Sequence, residues 1–137
     1  MSLRAIDANV ILRFITADHP EMSPRCRDLF ARVQQGEEAV FLPEAALSDV
    51  VWTLRSFYSW PIERIRQFVG DLLALDGVQM ARKALVWEAL SLFVEGSLDF
   101  SDALIAAEMD VVELNELYSY DRDFDRVEGV TRFEPQN

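Results

Sequence analysis

Apolar residues fall along this chain in two alternating rhythms, short unbroken runs and stretches where they return every third or fourth position. The run Leu3-Arg4-Ala5-Ile6 predicts a strand that ends at Asp7, with a helix over 8–15 turning directly out of it. His19-Pro20 breaks the pattern. Cys26, Leu29, Phe30 and Val33 then share one face of a helix over 24–35, which Gly36 ends. A second strand follows over 39–42, and Pro43 opens a helix to about residue 58 with Leu47, Val50, Val51 and Leu54 on its buried face. Pro61 starts the next helix, carried by Ile62, Ile65, Phe68, Val69 and Leu72. A third strand is predicted over 78–80, and helices over 83–93 and 101–108 are separated by Gly96. A fourth strand over 117–120 ends at Asp121, and an edge strand over 130–133 follows Gly129. Strands alternating with helices predict an α/β chain with a parallel sheet covered on both faces. The length, 137 residues, suits one domain spanning 1–137.

In an open parallel sheet, functional groups gather beyond the carboxyl ends of the strands. Asp7 and Asp121 fall at two such ends, Asp102 in the first turn of a helix, and Asp49 within the helix after the second strand. Each has a structural alternative. Asp102, with Asp99 or Ser101, has the placement of a helix cap, and Asp121 to Asp125 that of an exposed turn. Asp49 has that of a solvent-facing helix residue. Asp7 is harder to dismiss, because a charge directly after a buried strand is costly unless paired or ligated. If these carboxylates converge, their repulsion requires a cation. With oxygen donors and no Cys/His cluster, that cation is Mg²⁺ or Mn²⁺ rather than zinc.

Charge first argues against a nucleic-acid ligand, since the net value is −11 and phosphates attract Lys and Arg. The excess is partly compact, however, in Asp99/Asp102 and Asp121/Asp123/Asp125, and a bound divalent ion offsets such groups. Arg13, Arg55, Arg82 and Lys83 are candidates for a basic rim. The single cysteine, Cys26, excludes an internal disulfide and suits a reducing cytoplasm. No apolar run approaches the ~18 residues of a membrane span, so a soluble, cytoplasmic protein is expected. The lone His19 reads as a loop residue rather than a ligand or base, and no Gly-rich phosphate loop is present.

Four stretches, in order, carry a resemblance. They are Ala5-Ile6-Asp7-Ala8-Asn9-Val10-Ile11-Leu12-Arg13, Leu42-Pro43 through Ser48-Asp49-Val50-Val51-Trp52-Thr53-Leu54, Asp99-Phe100-Ser101-Asp102-Ala103-Leu104-Ile105-Ala106-Ala107 and Ser119-Tyr120-Asp121-Arg122-Asp123-Phe124. Together they resemble the PIN-domain ribonucleases, and within them the VapC-like toxins of toxin–antitoxin pairs. The resemblance implies a three-layer α/β/α fold with four to five parallel strands and an acidic pocket for one or two Mg²⁺ or Mn²⁺ ions. It implies that Asp7, Asp102 and Asp121 are the metal-binding, catalytic aspartates. Asp49 stands where the family usually has glutamate, one methylene longer, with Glu44 a minor alternative. Asn9, Asp99, Ser119 and Asp123 take auxiliary positions, Ser119 keeping the hydroxyl of a usual threonine. The implied substrate is RNA and the implied partner a cognate antitoxin.

Trp52, Phe57, Tyr58, Trp60 and Phe68 on consecutive helices either all belong to the core or form an associating surface, and the resemblance favours the second, a homodimer. Two rivals stand beside the nuclease. One is a catalytically weak or inactive PIN-like module that binds RNA or protein, for which the Asp49 departure speaks. The other is a receiver-type phosphotransfer domain, which needs a lysine after a late strand where this chain has only Lys83, far earlier.

Overall fold

The computed structural model describes residues 3–136; Met1, Ser2 and Asn137, the ends of the span expected as one domain, lie outside the described residues. The chain contains two compact units, Met1–Lys83 and Ala84–Asn137.

The first unit runs β1 (Arg4–Ala5), α1 (Ala8–Thr16), α2 (Met22–Gln34), β2 (Val40–Phe41), α3 (Glu44–Ser56), α4 (Ile62–Ala74) and β3 (Val78–Gln79). Its strands pair in parallel in the order β1-β2-β3. The ladder reaches past the strand ends, because Ile6 N donates to Phe41 O at 2.9 Å and Leu42 N to Gln79 O at 2.8 Å. The periodic faces read from the sequence are largely the buried ones: Leu47, Val50, Val51 and Leu54 from α3, and Ile65, Val69 and Leu72 from α4, whereas Ile62 and Phe68 of the expected α4 face are only half-buried. Pro43 and Pro61 sit one residue earlier than expected, capping α3 and α4 at φ −65° and −63°, angles their rings impose. Helix α2 starts earlier than the pattern suggested, because His19 Nδ1 accepts the N–H groups of Glu21 and Met22, at 3.3 and 3.0 Å. It ends at Gly36, whose φ of +79° a side chain would strain. Gly77 permits a close approach, since a Cβ there would lie 2.9 Å from Val33 Cγ1 and 3.0 Å from Glu38 O.

The second unit follows with α5 (Lys83–Glu95), α6 (Phe100–Val111), β4 (Glu116–Tyr118), a 3₁₀ turn (Arg122–Arg126) and β5 (Thr131–Phe133). Strands β4 and β5 pair in parallel, Glu116 opposite Thr131. The link between them is about as short as a parallel return allows, roughly a dozen residues, and the 3₁₀ turn occupies it in place of a full helix. Phe124 anchors that turn, 3% exposed. Phe93 and Phe100 meet edge to face at 5.9 Å, and Ala103, Ala106 and Ala107 line the buried face of α6. Among the described residues every strand is parallel to its neighbours, three strands in one unit and two in the other, in keeping with the α/β reading.

Candidate active site

The second unit draws four of the sequence-predicted acids together. Asp99 and Asp102 come from the start of α6, Asp121 and Asp123 from the 3₁₀ turn. Asp102 is half-buried, and its carboxyl is pushed above the usual carboxylate range. Burial is the first cause, followed by the charges of Asp121, Asp99 and Asp123, and last by a side-chain hydrogen bond with Asp121. Asp99 occupies the capping position of α6, but its side chain makes no capping hydrogen bond. Capping therefore does not account for its carboxylate.

Asp121 is held by its own turn. Ser119 Oγ accepts from Asp121 N at 2.9 Å, and Asp121 Oδ1 accepts from Asp123 N at 2.9 Å. The exposed-turn reading of this segment is right locally, and the same turn aims one carboxylate at Asp102. Arg126, which sequence reasoning missed, joins the two acidic segments. Its Nη2 lies 3.2 Å from Asp123 Oδ1, and its Nη1 donates to the Ser97 carbonyl at 3.2 Å, just ahead of Asp99. Arg132 fixes the other side, donating to Ser119 O at 2.9 Å and pairing with Asp125 at 3.0 Å. No periodic signal marks either arginine.

In the first unit, Asp7 follows β1 and caps α1, its Oδ1 accepting from Val10 N at 3.2 Å. It is exposed, so the expectation of a charge stranded beside a buried strand is corrected: Ile6 is the buried residue and Asp7 faces solvent. Asp7 and Asn9 line a hollow of about 470 Å³ with Arg13, Arg25 and Cys26. Asp49 is exposed on α3 and is not part of that lining.

The expected basic rim is largely engaged elsewhere. Lys83 Nζ donates to the carbonyls of Val78 and Leu75 at 2.6 and 3.0 Å, which makes it a clasp on β3 rather than a free cation. Arg82 grips Glu44 with two hydrogen bonds of 2.9 and 2.7 Å, so Glu44 is the acid of an ion pair. Arg55 donates to Trp60 O at 3.1 Å. Among the aromatic residues, Trp60 packs against Phe68 at 6.2 Å beneath the Arg64 guanidinium, whereas Trp52 and Phe57 stay 67% and 74% exposed.

The donor set around Asp102 suits a hard divalent ion, because it is all oxygen and its members repel one another without a cation. Within this unit, among the described residues, no three acid, cysteine or imidazole groups form a finished ion cage. The fit is therefore one of donor chemistry.

Comparison with known proteins places these features in a class. The PIN domain family profile matches residues 5–130, and the chain belongs to that family. It is 23% identical over 125 residues to a VapC ribonuclease of Aquifex aeolicus (strain VF5), covering 91% of this chain and 92% of the relative. A crystal structure of Mycobacterium tuberculosis VapC20, described as a sarcin-ricin loop cleaving toxin, matches 98% of this chain and 100% of its own at 19% identity and a TM-score of 0.40. The VapC-like resemblance read from the four motifs is borne out, and with it the PIN-like α/β fold.

Proposed function

We propose that this protein is a Mg²⁺- or Mn²⁺-dependent endoribonuclease and the toxin of a toxin–antitoxin pair. The observation that carries the reading is the environment of Asp102, a half-buried carboxyl raised in proton affinity by burial and by three neighbouring aspartates. Perturbed carboxyls of this kind mark sites where charge is handled rather than merely displayed. Asp102 and Asp121 would hold the ion in the second unit, with Asp99 and Asp123 adding negative potential. Asp7, at the end of β1, is assigned to the same reaction by the order of the family's motifs, with Asn9 beside it. When bound, the ion supplies a water of lowered pKa and positive charge against the phosphate. Ser119 and the Asp123 N–H hold Asp121 in one orientation, and a carboxylate oxygen of Asp102 or Asp121 takes the proton the attacking water loses.

Asp49 is assigned the place of the family's glutamate, one methylene short. Its exposure favours a second reading, a PIN-like module that binds RNA or protein without cutting. The rest of the proposal is a cytoplasmic homodimer, joined through the exposed Trp52 and Phe57, that a cognate antitoxin silences. An antitoxin arginine suits an acidic pocket, because guanidinium pairs with carboxylates in a fork. Incubating the purified protein with Mn²⁺ and single-stranded RNA separates the readings. Cutting that disappears in Asp7→Asn supports the nuclease; binding without cutting supports the module.

A further inference from the structure

The hollow beside Asp7 has a chemistry that the acid cluster does not explain. About 470 Å³ in volume, within the usual range of ligand pockets, it is lined by Val10, Met22 and Cys26 and by a polar set of Asp7, Asn9 and two guanidiniums, Arg13 and Arg25. In a chain of net charge −11, most basic groups are taken up internally. Arg32 pairs with Glu38, Arg66 with Glu63, Arg82 with Glu44 and Arg132 with Asp125. Arg13 is held in place: its Nη1 donates to Asp18 Oδ1 at 3.0 Å, and the Tyr58 hydroxyl donates to the other Asp18 oxygen at 3.0 Å. That bond occupies one of the five N–H donors of the guanidinium. Arg25, exposed on α2, has no hydrogen bond or ion pair with any described residue.

We infer that this hollow is a phosphate-binding subsite for the RNA strand, in which Arg25 supplies the mobile contact and Arg13 the fixed one. The inference rests on the ribonuclease reading, for which it names how the strand is held. A guanidinium fork matches the two non-bridging oxygens of a phosphodiester, and such contacts position a strand without reading its bases. Because Asp18 takes part of the charge of Arg13, Arg25 carries the larger share of binding. An acidic protein thereby grips a polyanion through a local basic site, whatever the sign of its net charge.

The test is binding of a fluorescein-labelled single-stranded RNA oligomer in EDTA, followed by anisotropy over a salt series. Arg25→Ala should weaken binding about 5–10-fold and lower the slope of log K against log salt by roughly 0.7, one phosphate contact on a single strand. Arg25→Lys should recover part of the loss. Arg27→Ala, an exposed arginine of the same helix that lines a different groove, should bind within about twofold of wild type, which controls for net charge. Cys26, the sole cysteine, reports occupancy: the RNA should slow its alkylation, and inorganic phosphate at equal phosphate concentration should not. Wild-type binding by Arg25→Ala, equal loss in Arg27→Ala, equal protection by inorganic phosphate, or no RNA binding by the wild type each overturns the subsite. If Arg25-dependent binding holds while the wild type cuts no RNA in Mn²⁺, the ribonuclease reading fails and the subsite stands.

Discussion

The charge of Asp121 raises the proton affinity of Asp102, although one carboxyl comes from the first turn of α6 and the other from the turn after β4. Burial and the neighbouring aspartates make the Asp102 carboxyl hold its proton more tightly in the folded chain than in the unfolded one. The linkage has a definite sign. The folded pKa of Asp102 is raised, so its contribution to stability is full below the ordinary carboxylate pKa and is lost as pH rises through the raised value. Asp102→Asn should therefore raise the melting temperature at pH 7 and change it little in acid. Calorimetry across that range checks the claim; a variant that melts below wild type at pH 7 contradicts it.

Arg126 links Asp123 to the Ser97 carbonyl, which in the proposed site gives it a positioning role. Its side chain is 54% exposed, so the ion pair itself contributes at most about 1 kcal/mol. Arg126→Gln should cost little stability but lower RNA cleavage about tenfold, the scale of losing a group that supports the residues around a metal site. Melting and initial rates measured on the same preparation show whether the two effects separate. Equal small losses in both would make Arg126 a surface residue.

Asp49→Ala should lower cleavage about 10-fold or more, again the scale of a supporting group, and Asp49→Glu should restore it or exceed wild type. Wild-type rates in Asp49→Ala would remove Asp49 from the site and leave the reaction to Asp7, Asp102 and Asp121.

Expression in a host cell should arrest growth with the wild type, spare it with Asp102→Asn, and be tolerated when the product of the adjacent gene is co-expressed. A harmless wild type that no neighbouring product binds ends the toxin assignment while leaving a nuclease intact.

What was legible in the sequence, and what was not, follows from the range of each signal. Asp7, Asp102 and Asp121 stood out because strand ends and helix starts leave local marks, namely an apolar run that stops at an acid or an acid in a first turn. Asp99 and Asp123 entered the site only through the resemblance, as auxiliary positions. The 3₁₀ turn over Arg122–Arg126 was hidden, because an aspartate-rich segment has no apolar period. Lys83 was misread as a rim cation, since nothing local reveals that its ammonium turns back onto the Leu75 and Val78 carbonyls. Arg126 and Arg25 escaped notice because an arginine's partner, or its lack of one, is decided by tertiary path rather than by spacing. Asp7 was expected at a cost of burial it does not bear, because side-chain exposure at a strand end depends on what covers it.

Single-turnover cleavage of a labelled single-stranded RNA, in Mn²⁺ and in EDTA, with wild type and Asp102→Asn side by side, tests the central claim most directly. Cleavage should require Mn²⁺ and fall at least about 100-fold in Asp102→Asn, since the carboxylate proposed to hold the ion is lost. Binding of RNA in EDTA should be kept or improved in the same variant, because a negative charge has gone. Cleavage that persists in EDTA, or at the wild-type rate in Asp102→Asn, would contradict the assignment of this aspartate cluster as the metal-dependent catalytic centre.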